Sequence, residues 1–166
     1  MILARRMEGT QPMAMPKLPI EGGCRCGRVR FQLTERPWLE AACHCRGCQL
    51  MTASAFSTTL VMPDGGFAVI AGDPVIGGMH GDVADHHHCD WCKSWVFTRP
   101  RAAMGFVNVR ATLLDDPYWF RPWLETQTAE KLPWAATGAA RRFERFPAME
   151  EYQALIAAYR TARANG

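Results

Sequence analysis

The seven cysteines of this chain fall into three tight groups, and that grouping restricts the fold more than any other feature. Cys24 and Cys26 form C-x-C, Cys43, Cys45 and Cys48 form C-x-C-x-x-C, and Cys89 and Cys92 form C-x-x-C. Thiols acting as small hydrophobes would be scattered, and an odd number leaves a disulfide framework incomplete. Clustered thiols in a reducing compartment are metal ligands. Zinc takes four thiolates in a closed structural site, and three protein ligands plus an exchangeable group in a catalytic one. Cysteines one or two positions apart must serve the same metal. Joining Cys89 and Cys92 to the triplet would gather five sulfurs and leave Cys24 and Cys26 alone. Joining them to Cys24 and Cys26 keeps every group intact. The expectation is therefore a structural zinc on Cys24, Cys26, Cys89 and Cys92, and a second zinc on Cys43, Cys45 and Cys48 with its fourth position vacant.

These two sites would do different work. The tetrathiolate ties an early strand to a late hairpin and supplies on the order of 10 kcal/mol of apparent folding free energy. The triplet keeps a position open for water, hydroxide or a substrate thiolate, and a thiol bound there is deprotonated and nucleophilic. Two groups of histidines lie near these thiols. His44 sits inside the triplet; flanked by two ligands, it turns away from the metal and orients the turn or meets substrate, with a general acid or base role open. His86, His87 and His88 run into Cys89 and read as a solvated loop entering a zinc knuckle.

Composition sets the frame for this chemistry. The 166 residues are 48% hydrophobic and 21% charged, enough for one well-buried domain. No apolar run is long enough for a membrane span. The opening residues lack the apolar stretch and cleavage site of a signal peptide, so residues 1–19 read as a flexible leader to a single domain over 20–166, in the cytoplasm. A net charge of +3 falls short of the clustered basic face of nucleic-acid binders.

The pattern is mainly β. "RVRFQLT" alternates Val29, Phe31 and Leu33 against polar residues, as a half-buried strand does. "AFSTTLVM" and "FAVIAG" are strand-like, and the "PDGG" between them favours a turn with positive φ. "GDPVIGGMHGDVADHHH" reads as irregular, "SWVFTR" and "MGFVNVRAT" as strands, and the aromatic-rich residues 117–138 as a covering segment. At the C-terminus Met149, Tyr152, Leu155, Ile156 and Tyr159 recur at helical spacing, a helix packed on the sheets.

"GGCRCGRVRF", "CHCRGCQLMTASAF", "HHHCDWCKSWVF" and "VRATLLDDP" together resemble the blocks of the glutathione-dependent formaldehyde-activating enzyme (GFA, or centromere-protein-V domain) family. The likeness runs from about Gly22 to Pro147 and takes in all seven cysteines. It implies a β-tent of antiparallel sheets, with structural zinc on the first and last cysteine pairs and a catalytic zinc on the triplet. It also implies a carbon–sulfur lyase that condenses formaldehyde with glutathione or another small thiol to S-(hydroxymethyl)glutathione. Lys93 stands where the family commonly has Gly, and His88 where it commonly has an aromatic residue. Arg28 and Arg46, close to the cysteines in sequence, are the candidates for the thiol's carboxylates. The alternatives are a non-catalytic zinc module for protein or nucleic-acid binding, and a thiolate sensor of zinc or redox state.

Overall fold

A short turn at Asp64–Gly66 determines how the sheets of this protein are laid out. In the computed structural model, which describes residues 14–164, strand β4 (Ser57–Pro63) enters that turn and β5 (Phe67–Ala71) leaves it. The two are not partners. β5 joins a three-stranded antiparallel sheet in the order β1-β2-β5, with β1 at Ile20–Gly23 and β2 at Arg30–Leu33. β4 lies inside an eight-stranded sheet. The "PDGG" segment forms a single 3-10 turn, and neither of its glycines has positive φ. It passes the chain between sheets instead of closing a hairpin.

Reading across, the larger sheet runs β11-β10-β3-β4-β9-β8-β7-β6. Its other members are β3 (Leu39–Cys43), β6 (Val75–Ile76), β7 (Ala84–His88), β8 (Trp95–Pro100), β9 (Phe106–Val109), β10 (Leu124–Thr126) and β11 (Arg141–Arg142). The sheets are mainly antiparallel, as expected, but this one is mixed: β10 pairs in parallel with both β3 and β11. Parallel neighbours need long connections, and about 80 residues separate β3 from β10.

Alternation decides what is buried. Phe31 and Leu33 on β2 share one core with Leu60 and Met62 of β4, Val107 and Val109 of β9, Val96 of β8 and the fully buried Trp119. Gly22 sits where the backbones crowd; a Cβ there would lie 2.4 Å from the Phe31 ring. A second apolar cluster packs Leu39 and Leu124 against helix α2 (Tyr152–Ala164) through Tyr152, Leu155, Ile156 and Tyr159. Met149 drops out of the expected stripe, exposed in the 3-10 turn before α2.

Other expectations are corrected or only partly covered. The segment read as irregular before Cys89 contains β6 and β7, and the covering segment contains β10. Of the expected leader and domain, residues 1–13 and 165–166 lie outside the described residues. Among the described residues no helix is long and apolar enough to cross a membrane.

Candidate metal centre and adjoining cleft

The first group of sulfurs gathers at the end of β1 and in the loop between β7 and β8. Cys24, Cys26, Cys89 and Cys92 place their Sγ atoms within 4.8 Å of one another. Cys24 and Cys26 are 3.5 Å apart, and Cys26 and Cys89 are 3.7 Å apart. Tetrahedral zinc–sulfur bonds of about 2.3 Å call for sulfur pairs roughly 3.8 Å apart, so this donor set fits a metal ion.

Backbone turns build this cluster. Gly27, at φ +77°, lets its N–H reach the Cys24 carbonyl at 2.9 Å, and the Val29 N–H donates to Cys24 Sγ at 3.3 Å. Burial pushes the Cys24 thiol up, but this N–H and the neighbouring thiols bring it below its ordinary value. On the other side Lys93 N–H donates to the Cys89 carbonyl at 3.0 Å, with Lys93 itself at φ +57°. That left-handed backbone is one glycine adopts more readily than lysine. Cys92 touches Ser94 Oγ at 3.3 Å; burial opposes ionisation, yet the Ser94 hydroxyl and N–H draw this thiol down to about 5.

The second group is local. Cys43 ends β3, and Cys45 and Cys48 belong to the start of α1 (Arg46–Thr52), their sulfurs again within 4.8 Å of one another. Cys45 is the N-cap residue, its sulfur accepting from Cys48 N–H at 3.3 Å. Hydrogen bonds from the Cys43 and Cys48 thiols, then from these backbone N–H groups, hold Cys45 far below the usual thiol range despite burial. Cys43 and Cys48 are correspondingly pushed up by their neighbours. Ser57 Oγ of β4 donates to Cys48 Sγ at 3.2 Å. Among the described residues no fourth histidine, cysteine or carboxylate joins this set.

His44 lies outside it. Its ring is fully buried, edge-on to Phe56, with Nε2 3.0 Å from Glu125 Oε2 and Nδ1 unpartnered. Glu125, on β10 and also fully buried, is bound by Lys131 at 3.0 Å, Thr137 at 2.8 Å and Arg142 at 2.9 Å. Burial raises its pKa, but the hydrogen bonds of Lys131, Thr137 and His44 prevail and hold it below the usual carboxylate value. With the His44 N–H bonded to the Thr126 carbonyl at 3.0 Å, this network fixes the turn that carries the triplet. His86, His87 and His88 are half-buried on β7, where His87 stacks on Phe97 with ring centroids 4.3 Å apart. They are strand residues, and their rings pack against the aromatic residues of β8.

A cleft of about 430 Å³ is connected to both sulfur groups through residues that line it. Ser57 and Ser94, each bonded to a cysteine sulfur of one group, both line it. Arg110, just past β9, lines it as well. This arginine is 6% exposed, and its guanidinium lies 4.2 Å over the Trp95 ring. Burial pulls its pKa down to about 10, against the pull of Cys48 and Cys43, so it stays charged at neutral pH. Neither Arg28 nor Arg46 lines the cleft: Arg28 stacks on the exposed Trp91 at 3.9 Å, and Arg46 bonds Gln49 at 3.1 Å. Arg110 was not a sequence candidate. Its signals are a charge directly after the alternating "FVNV" of β9 and a place in the "VRATLLDDP" block.

No curated protein sequence matches the chain. Among solved structures, a Rhodobacter sphaeroides protein determined as a structural genomics target is similar with a TM-score of 0.47 and 18% identity, over 58% of this chain and 88% of that one. A family model described as glutathione-dependent formaldehyde-activating enzyme matches residues 19–130, a span that holds all seven cysteines and Arg110 and ends before α2. The chain belongs to the glutathione-dependent formaldehyde-activating enzyme (GFA) family.

Proposed function

We propose that this protein is a zinc-dependent carbon–sulfur lyase that adds a small thiol, glutathione or a relative, to formaldehyde or a similar electrophile. The observation that carries this reading is the open triplet: three clustered sulfurs, no fourth donor among the described residues, and a cleft beside them. In the reaction the thiol sulfur bonds to the aldehyde carbon and the carbonyl π pair moves to oxygen. The proton lost by the thiol balances the one gained by that oxygen, so no oxidant is needed.

Thiolate donors suit zinc, and Cys43, Cys45 and Cys48 would hold it. When bound, zinc supplies positive charge that favours thiolate over thiol and stabilises negative charge on oxygen. Cys43 offers its sulfur from a strand paired on both sides, which fixes that donor, while Cys45 and Cys48 come from one helical turn. The Ser57 hydroxyl donates to Cys48 and withdraws charge from that sulfur, orienting it. His44 and Glu125 brace the turn from behind. Cys24, Cys26, Cys89 and Cys92 would hold the structural zinc that joins β1 to the β7–β8 loop.

The direct test follows S-(hydroxymethyl)glutathione formation from ¹³C-formaldehyde by NMR. Zinc-loaded protein should speed the approach to equilibrium, and Cys48→Ser should abolish the effect. A rate equal to the uncatalysed one with both sites loaded would rule the reading out.

A further inference from the structure

Arg110 has an environment that needs explaining. A buried guanidinium is normally matched by a carboxylate. Among the described residues, Arg110 has none within ion-pair distance. Its Nη2 donates to the Asn108 carbonyl at 3.3 Å, and its buried Nε has no partner at all. Arginine offers five N–H donors in a planar fork that fits a carboxylate in two parallel bonds. Trp95 supports one face of that fork, which holds it in place.

The cleft is arranged for an anion. Its lining contains not one acidic residue and two cations, Arg110 and a Lys93 already paired with Asp90, together with the hydroxyls of Ser57, Ser94 and Thr112. Ser57 belongs at once to this lining and to the triplet, through its bond to Cys48 Sγ. Arg110 and the serine that bonds a triplet sulfur thus line the same cleft.

We propose that Arg110 is the anion-recognition residue of this site, its guanidinium pairing with a carboxylate of the thiol whose sulfur docks at Cys43, Cys45 and Cys48, a role that rests on the thiol-addition reading. The substrate class is narrowed accordingly: a thiol with a carboxylate several bonds from its sulfur, and not a neutral alkanethiol. The charged bond also sets the molecule's direction in the cleft, so the thiol end leads toward the triplet.

Calorimetric titration of the zinc-loaded protein with glutathione, its diethyl ester and S-methylglutathione tests this. Glutathione should bind about tenfold or more tightly than the diester, the size expected for a charged hydrogen bond. In Arg110→Gln the two should bind within about twofold; a preference that came from the bulk of the ester would survive the change. Arg110→Lys should keep part of the preference, and circular dichroism reports whether each variant folds. Equal binding of acid and diester by the wild type would overturn the proposal whether or not any variant folds. So would a full preference retained in folded Arg110→Gln. S-Methylglutathione keeps both carboxylates but has no free thiol, so it separates the two readings. If neither free thiol binds, the thiol-addition reading fails. S-Methylglutathione binding that Arg110→Gln abolishes would then still establish the anion site, and no binding to the wild type would overturn it.

Discussion

Ser57 Oγ lies 3.2 Å from Cys48 Sγ, a hydrogen bond from the first residue of β4 to a thiol at the start of α1. Such donors to ligand sulfurs tune metal affinity by about 10–100-fold. Ser57→Ala is therefore expected to weaken metal retention at the triplet by about tenfold or more, measured by chelator competition. Metal on Cys24, Cys26, Cys89 and Cys92 should be unaffected.

Cysteine replacements should divide by group. Cys24→Ser or Cys92→Ser removes the link between β1 and the β7–β8 loop, with up to about 10 kcal/mol of metal-coupled folding energy. Insoluble or unfolded protein is expected, read by circular dichroism. Cys45→Ser or Cys48→Ser should leave a folded chain with half the metal content. Identical behaviour of the two groups would refute the four-plus-three division.

Lys93 occupies a left-handed backbone position at φ +57°. Its ion pair with Asp90 joins two largely exposed side chains and adds little. Lys93→Gly should raise stability by about 0.5–1 kcal/mol, seen as a higher urea midpoint.

Acid should destabilise the protein through Glu125. Its carboxyl is held below the ordinary 4.5 in the fold, so the unfolded chain binds the proton more readily. That stability is complete above pH 4.5 and is lost as pH falls through the lower folded value. Glu125→Gln should be less stable at pH 7 and should flatten the acid limb of a stability–pH curve measured by urea unfolding.

Glu40 is fully buried on β3 and accepts from Tyr159 Oη at 2.8 Å, from Arg121 N–H at 3.1 Å, and from Arg163. Burial raises its pKa, with the Arg163 charge opposing. Arg163→Ala leaves that carboxyl buried without its cation. A loss of about 2–4 kcal/mol is expected in urea unfolding, the upper end limited by the partial exposure of Arg163. Glu40→Gln in the same background should recover part of it.

The same network shows where the sequence is hard to read. "LEAAC" carries no apolar alternation because Glu40 is buried on a central strand and answered by α2 more than a hundred residues later. The three histidines hide β7, since half-buried rings stacked on neighbouring aromatics look like loop residues in one dimension. α1 is seven residues long, too short for helical periodicity to register. By contrast β2 was visible from alternation, β4, β5, β8 and β9 as strand-like runs, and α2 from its stripe. The gathering of the cysteines into two sets followed from their spacing, because ligands one or two residues apart have little conformational choice. Arg110 was hard to single out for the opposite reason: most of its neighbours in the cleft come from two distant stretches, 51–58 and 93–95.

The cleft has two walls of different kinds. Trp95, Arg110 and Ser57 stand on or directly beside the adjacent strands β8, β9 and β4, locked by ladder hydrogen bonds. Met51, Thr52 and Ser54 lie at the end of α1, which finishes in a left-handed Ala53. Substitutions on the helical side can reshape the cavity without disturbing a single strand register. The shape of the cleft is therefore free to vary through a handful of turn residues, while the sulfurs and Arg110 stay where the strands hold them.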